Sequence, residues 1–453
     1  MRTVSLPAAC LCVWLTVVLW LSGTCCLPAQ MSEGRQPLSQ EQIIQNNIRM
    51  LVAARSNQQS KPQILDRMRQ RLTQRGMTDV ETRLTAISAI LDEAVAMSET
   101  DFANKQQQLA LRVMEQARPS NAAPSAIPWV DVHDHLAARG QEEFKGAATA
   151  AVESMNQAGA SKMIIMPPPQ DIAHFDCDSF RAALQQHPGR FAFLGGGGSL
   201  NVMIQQTANQ TSVSDSVRRQ FEQKAEEILR QGASGFGEIA IHHLSLHGAQ
   251  HPYECVAADH PLLLLLADIA ARHDVPIDVH FDVITQDLPR PGWLTSPNNP
   301  AVFHPNLAAF ERLLDHNPRA KICWAHAGSD NTGHWTAELS HQLLQKHANL
   351  YMSLRPGPGN SSEISVQHFP MNQDGTIKAE WLKVFQDFPD RFVIGSDQFT
   401  SSPNSRNSGG LPSSLAAKKP LGGGRVGAIL KALPPDVARK IAAENAITLY
   451  RLN

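Results

Sequence analysis

The chain has 453 residues, 42% of them hydrophobic, and its 40 Lys and Arg against 42 Asp and Glu give a formal net charge of -2. That balance excludes a disordered chain, and it provides no basic surface of the kind that nucleic-acid binding demands. A globular protein acting on a small molecule is the class that remains.

The amino terminus carries Arg2 as its only early charge, followed by the apolar run 7–21 and the small residues Ser22, Gly23 and Thr24. The run is shorter than the roughly 20 residues of a membrane-spanning helix. Segment 1–29 therefore reads as a signal peptide, cleaved between Gly23 and Ala29, which exports the protein to the periplasm or beyond with no membrane span in the mature chain. Lipid attachment is the second reading. Leu21, Ser22 and Gly23 resemble a lipobox, but Thr24 stands where the lipidated cysteine belongs and Cys25 comes one position late. Beyond this segment only Cys177, Cys255 and Cys323 remain, too few for a disulfide framework or a structural zinc site. Cys323 lies in the apolar run Ile322-Cys323-Trp324-Ala325 and reads as a core residue.

Residues 30–118 form the next region. From Gln40 onward, Ile43, Ile44, Ile48, Leu51 and Val52 recur at helical spacing among Gln, Arg and Ala, which predicts two or three amphipathic helices. No recognisable chemistry falls there, so packing against another part of the chain or a partner is the expected role. Residues 119–125, rich in Pro, Asn and Ala, read as a linker to a second region, 126–453.

In that region short apolar runs alternate with amphipathic stretches, the mark of βα units and a parallel sheet. The runs are 127–132, 162–166, 190–194, 235–241, 275–279, 320–325, 349–354 and 391–395, and helical patterns follow at 217–231, 262–273, 307–316 and 435–452. Eight repeats over this length predict an α/β fold, a closed (β/α)8 TIM barrel preceded by a helical N-terminal segment. The run Gly195 to Gly198 lacks the spaced glycines and acidic partner of a dinucleotide motif and reads as a strand-end loop.

In such a barrel the carboxyl ends of the strands face the active site. The first run ends Asp131-Val132-His133-Asp134-His135, and alternation along a strand turns His133 and His135 the same way, so that the two can clasp one ion. Glu238 follows Gly237 on the fourth run, His280 ends the fifth, His326 the sixth, and Asp397 closes Gly395-Ser396-Asp397 after the eighth. A lone His or Glu at a strand end is more often a hydrogen-bonded structural residue. Imidazoles and carboxylates from five strands in register point instead to a metal or catalytic site. His242, His243, His247 and His251, clustered after the fourth run, are not counted among the ligands.

The ordered set of His-x-His, Glu, His, His and Gly-Ser-Asp resembles the amidohydrolase superfamily, and the texture is similar to its amidohydrolase-2 branch, the relatives of aminocarboxymuconate-semialdehyde decarboxylase. Phe310-Glu311-Arg312-Leu313-Leu314 with Pro318, and Glu444-Asn445-Ala446, add to the likeness, which covers about 127–453. The resemblance implies that His133, His135, His280 and Asp397 hold a divalent metal, with His326 as the acid–base or water-orienting residue. One ion is the first reading. A pair bridged by Glu238 is the second, since TatD-like relatives place a Gly-Glu at this point, and no lysine stands there to form a carbamate bridge.

Imidazoles and carboxylates suit zinc, with manganese or iron as alternatives, and three or four protein ligands leave a coordination position open. Arg355, just past the seventh run, is placed to hold a substrate carboxylate or to form a salt bridge at the rim. The expected activity is hydrolysis of a carboxylic ester, lactone or amide. Non-oxidative decarboxylation is the alternative within the family, and a non-catalytic binding barrel the alternative outside it. The long segment 400–424, rich in Ser, Gly and Pro, reads as a lid or a disordered loop. A homo-oligomer remains open.

Overall fold

The computed structural model describes residues 40–74, 80–116, 127–138, 140–169, 175–246, 251–357, 363–372, 374–403 and 423–452. Segment 1–29, expected to be a signal peptide, the expected linker 119–125 and most of the segment 400–424 lie outside them. The described residues form two compact units, 40–116 and 127–452.

The first unit has four helices where two or three were expected: α1 Gln40–Arg55, α2 Lys61–Gln74, α3 Val80–Ala96 and α4 Glu99–Gln116. The apolar spacing runs on across the α3–α4 junction, so periodicity alone does not reveal it; Ser98 makes the break, its Oγ accepting the N–H of Asp101 at 3.1 Å. Leu51, Ile64, Leu72, Ile87, Leu91, Phe102, Leu109 and Val113 bury into one core. At the end of α1 the guanidinium of Arg55 donates to the carbonyls of Ala94 and Met97, which the end of α3 leaves without helical partners.

The second unit is built on eight parallel strands: β1 Trp129–Ala137, β2 Ala160–Ile165, β3 in two pieces Phe191–Phe193 and Gly195–Gly196, β4 Phe236–His243, β5 Pro276–Phe281, β6 Lys321–Ala327, β7 Leu350–Leu354 and β8 Phe392–Ile394. The first piece of β3 pairs with β2 and the second with β4, while β8 pairs with β1 through Asp131 opposite Ile394, so the ring closes. Capping residues start the helices between strands. Ser214 accepts the N–H of Val217 before the helix Asp215–Arg230, and Pro261 opens the helix Pro261–His273.

Side chains alternate between two buried layers along the lower halves of the strands. Trp129, Met163, Phe236, Ile277, Val279, Ile322 and Trp324 pack outward against the helices. Val130, Val132, Ile164, Met166, Leu194, Cys323 and Val393 form a separate inner cluster, into which Leu449, Tyr450 and Leu452 of the closing helix insert. Cys323 is fully buried there, and Cys177, Cys255 and Cys323 are all free. The interior is thus packed solid below the level of the site.

The run Gly195 to Gly198 is part strand and part turn. A Cβ on Gly197 would collide with the carbonyl oxygen of Pro167, and one on Gly198 with that of Phe175, so these glycines permit close backbone approach. Two loops add structure at the mouth. Glu254–Cys255 pairs with the tip of β4, and Leu288–Pro289 pairs with Val302–Phe303 around a small core of Leu244, Ile284, Leu294 and Phe303. Gln398–Ser401 continues beyond β8 alongside Asp134–Ala137 of β1. No described helix is long and apolar enough to cross a membrane.

Candidate metal centre

His133, His135, Glu238, His280, His326 and Asp397 meet at the carboxyl ends of β1, β4, β5, β6 and β8, and all are buried or nearly so. Their donor atoms gather mainly into two sets, linked by a third grouping of His133, His326 and Asp397. In the first, His133 Nε2 and His135 Nε2 are 3.2 Å apart, and each is 3.4–3.5 Å from Glu238 Oε2. Asp397 Oδ1 stands 4.0 and 3.7 Å from the same two nitrogens. In the second set Glu238 Oε1 lies 2.9 Å from His280 Nδ1 and 3.2 Å from His326 Nε2, which are 3.0 Å from each other. Glu238 therefore belongs to both sets, one oxygen to each.

The donor chemistry fits divalent cations. His135 turns Nδ1 to the carbonyl of Met166 at 3.0 Å, and His133 turns Nδ1 to Asp278 Oδ1 at 3.2 Å. The carbonyl only accepts, so the neutral ring of His135 carries its proton on Nδ1 and presents a lone pair from Nε2, and His133 faces the centre with the same nitrogen. Two lone pairs and a carboxylate oxygen converging this closely repel one another unless a cation lies among them. Without a metal, protons must serve. Burial opposes charge on His133, but the carboxylates of Asp278 and Glu238 hold its pKa well above the ordinary value. Burial likewise opposes charge on His280, and Asp282 and Glu238 raise it to about 10. The carboxyl of Asp397 is pushed up by burial but drawn down to about 2 by Arg355, His326 and His133, so it stays ionised.

The strands do not deliver these residues by simple alternation. On β1, Val130 and Val132 face the interior, which would send His133 outward; the pairing register slips between Asp131 and Asp134, and the two histidines turn in. On β4 the register slips between Phe236 and Ile239, both of which pack outward while Glu238 reaches the centre. On β6 Cys323 faces inward and Trp324 outward, and the register slips again before Ala327, with His326 at φ 71°. Asp397 sits at φ 53°. Left-handed backbone at two non-glycine residues of one site costs about 1–3 kcal/mol each and is characteristic of functional positions. Against β6 the strand β5 pairs without a slip, and it places Asp278 and His280 on one face.

Asp131, Asp278 and Asp282 are supporting residues that the sequence reading did not single out. Asp131 Oδ1 accepts the N–H of Ser396 at 2.9 Å, tying β1 to the Gly-Ser-Asp turn, and burial raises its carboxyl to about 6 against that bond. Asp278 backs His133 and Asp282 backs His280 at 3.3 Å. The pattern Asp278-x-His280-x-Asp282 was the available signal, two carboxylates at strand period on either side of a ligand. Arg355 donates to Asp397 Oδ2 at 2.9 Å, the rim salt bridge. Of the histidines left out of the ligand set, His242 contacts the carbonyl of Asp282 at 2.5 Å and Tyr253 Oη at 3.0 Å, and His251 Nδ1 accepts the N–H of Leu246. His243 lies with its ring 4.1 Å from that of His280, and His247 is outside the described residues.

A family model described as amidohydrolase matches residues 130–452. Among solved structures, a crystal structure of an amidohydrolase II is 14% identical over 71% of this chain and 99% of that one, with a TM-score of 0.39. An amidohydrolase from Mycobacterium avium subspecies paratuberculosis is 13% identical over 67% of this chain and 74% of that one, with a TM-score of 0.33. No curated protein matches the chain.

Proposed function

We propose that this chain, which belongs to the amidohydrolase family, is an exported hydrolase that uses a pair of divalent ions, best suited by zinc, to cleave a carboxylic ester, lactone or amide. The observation that carries the reading is Glu238, whose two oxygens face two different pairs of imidazoles. His133, His135, Glu238 and Asp397 would hold one ion and Glu238, His280 and His326 the other. A set of imidazole nitrogens and carboxylate oxygens suits zinc, with manganese or iron as alternatives. Bound there, such ions supply Lewis acidity and bring the pKa of water from 15.7 to about 7.

The chain's own residues then handle the proton. Asp397, ionised and near the first set, accepts it from the attacking water as the new carbon–oxygen bond forms, and returns it to the leaving oxygen or nitrogen as the scissile bond breaks. His326, its Nε2 in the second set, turns Nδ1 toward Asp397 Oδ2 at 3.8 Å and so helps to orient that carboxylate. Arg355 orients Asp397, and the donors of its guanidinium that Asp397 does not take would be the ones to meet a substrate carboxylate. Decarboxylation, the second reading, would use the same ligands but needs no attacking water.

The test uses purified full-length protein, elemental analysis and a panel of chromogenic esters, lactones and anilides in 18O-labelled water. The reading expects about two zinc equivalents and label in the product carboxylate. Carbon dioxide release without label would make the protein a decarboxylase, and bound metal without turnover a binding protein. Export rests on the apolar run 7–21; amino-terminal sequencing of protein from the native host should find the chain beginning between Gly23 and Ala29, and an intact Met1 would refute it.

A further inference from the structure

His133 and His135 face the centre with Nε2, their Nδ1 atoms turned to Asp278 and Met166. His280 is turned the other way. Its Nδ1 meets Glu238 and its Nε2 lies 3.3 Å from Asp282 Oδ2. The surroundings of Asp282 account for the reversal. Its Oδ2 also accepts the N–H of Leu244 at 3.1 Å and its Oδ1 accepts Asn331 Nδ2 at 2.9 Å. Its backbone is held as firmly: the N–H donates to the carbonyl of His242 at 2.8 Å, and the carbonyl accepts from Asn306 Nδ2 at 3.0 Å. Only 6% of the residue is exposed. Segments following β4, β5 and β6 therefore converge on one carboxylate, and that carboxylate faces a single ligand.

We propose that Asp282 is the positioning residue of the second ligand set, fixing the His280 ring with Nδ1 turned onto Glu238 so that Glu238, His280 and His326 can take their ion. The inference rests on the paired-ion reading above. An acceptor at Nε2 sets the tautomer that leaves Nδ1 free to ligate, and it removes the ring flip that would swap the two nitrogens. An amide in its place does this less well. With its oxygen at the Oδ2 position it still faces His280 Nε2 and the N–H of Leu244, but without the negative charge that strengthens those bonds, and its NH2 group then meets Asn331 Nδ2, a second donor.

The experiment titrates the full-length, metal-free chain with Zn2+ in competition with a chromogenic chelator, and repeats the titration with Co2+ to read the absorption spectrum of each bound ion. Asp282→Asn should bind the first ion as the wild type does and the second about 10–100-fold more weakly, with an altered spectrum for the second cobalt. Asn299→Ala is the control. Asn299 exchanges two hydrogen bonds of 2.9 Å with Ser245 and so ties the same loops together without touching Asp282. It should lower the melting temperature and leave both ions bound as in the wild type. Equal second-ion affinity in the wild type and Asp282→Asn overturns the inference, as does equal weakening in Asn299→Ala, which would assign the effect to loop stability. Should Asp282→Asn fail to fold, Asn331→Ala carries the test, with a several-fold loss expected for the second ion alone and no loss counting against the proposal. A wild type that binds no ion, or one, overturns the paired-ion reading and takes this inference with it.

Discussion

Glu238→Gln isolates the role of the shared carboxylate. Glu238 Oε2 lies 3.4–3.5 Å from the Nε2 atoms of His133 and His135, and Oε1 lies 2.9 and 3.2 Å from His280 Nδ1 and His326 Nε2. Glutamine keeps the shape but has one carbonyl oxygen and an amide that cannot ligate, so only one set retains its oxygen, and that without a charge. At about 4 Å and an effective dielectric constant of about 20, a unit charge pair is worth roughly 4 kcal/mol, so the ion that keeps the carbonyl loses on the order of a thousandfold in affinity. The other loses a ligand outright. Isothermal titration with zinc should therefore fall from two ions per chain to at most one, more weakly held. A Glu238→Gln protein that still takes two zinc ions with wild-type affinity would refute both the bridging role and the division of the six residues into two sets.

The remaining tests bear on the ligands, the base and the scaffold. Replacing His133 and His135 together with Ala should abolish the first ion by elemental analysis while circular dichroism still reports a folded barrel; unchanged metal content would remove both from the ligand set. Asp397→Asn should lower turnover by about 10²–10⁴-fold while the chain still binds metal, and full turnover would exclude Asp397 as the base. Asparagine is the right replacement because it tolerates the left-handed backbone at φ 53°, so strain does not confound the result. Gly198→Ala should cost about 1–3 kcal/mol, because the new methyl group runs into the carbonyl of Phe175, and an unchanged melting temperature would show that the turn relaxes freely.

The eight strands were legible because each is a short apolar run bounded by turn residues, and the observed strands overlap all eight expected positions. The same local pattern misleads about orientation. Read by alternation from Val130 and Val132, His133 should face the helices, and from Cys323, His326 should as well. The register slips that reverse them, and the positive φ at His326, are set by neighbouring strands and not by the residues themselves. Glu238 illustrates a second limit. Its type and position were visible, but the division of its two oxygens depends on four rings from β1, β5 and β6. In the first unit the error was one of count, because Ser98 interrupts a helical period that the apolar residues carry straight through.

The bond between Asp131 and the turn before Asp397 joins residues 265 positions apart. The N–H of Asp397 also donates to the carbonyl of His133, and the end of β1 gains its outer neighbour only from Gln398–Ser401. During synthesis β1 leaves the ribosome among the first parts of the barrel, yet some of the contacts that hold its histidine segment come from nearly the last. A chain that must wait for such distant contacts folds slowly and exposes unpaired strand edges meanwhile. Until β8 docks, the His-x-His segment lacks the turn that sets its direction and the carboxylate that completes its shell. Metal capture then becomes a late event in maturation, and a chain stalled before residue 397 would carry the histidines without the centre.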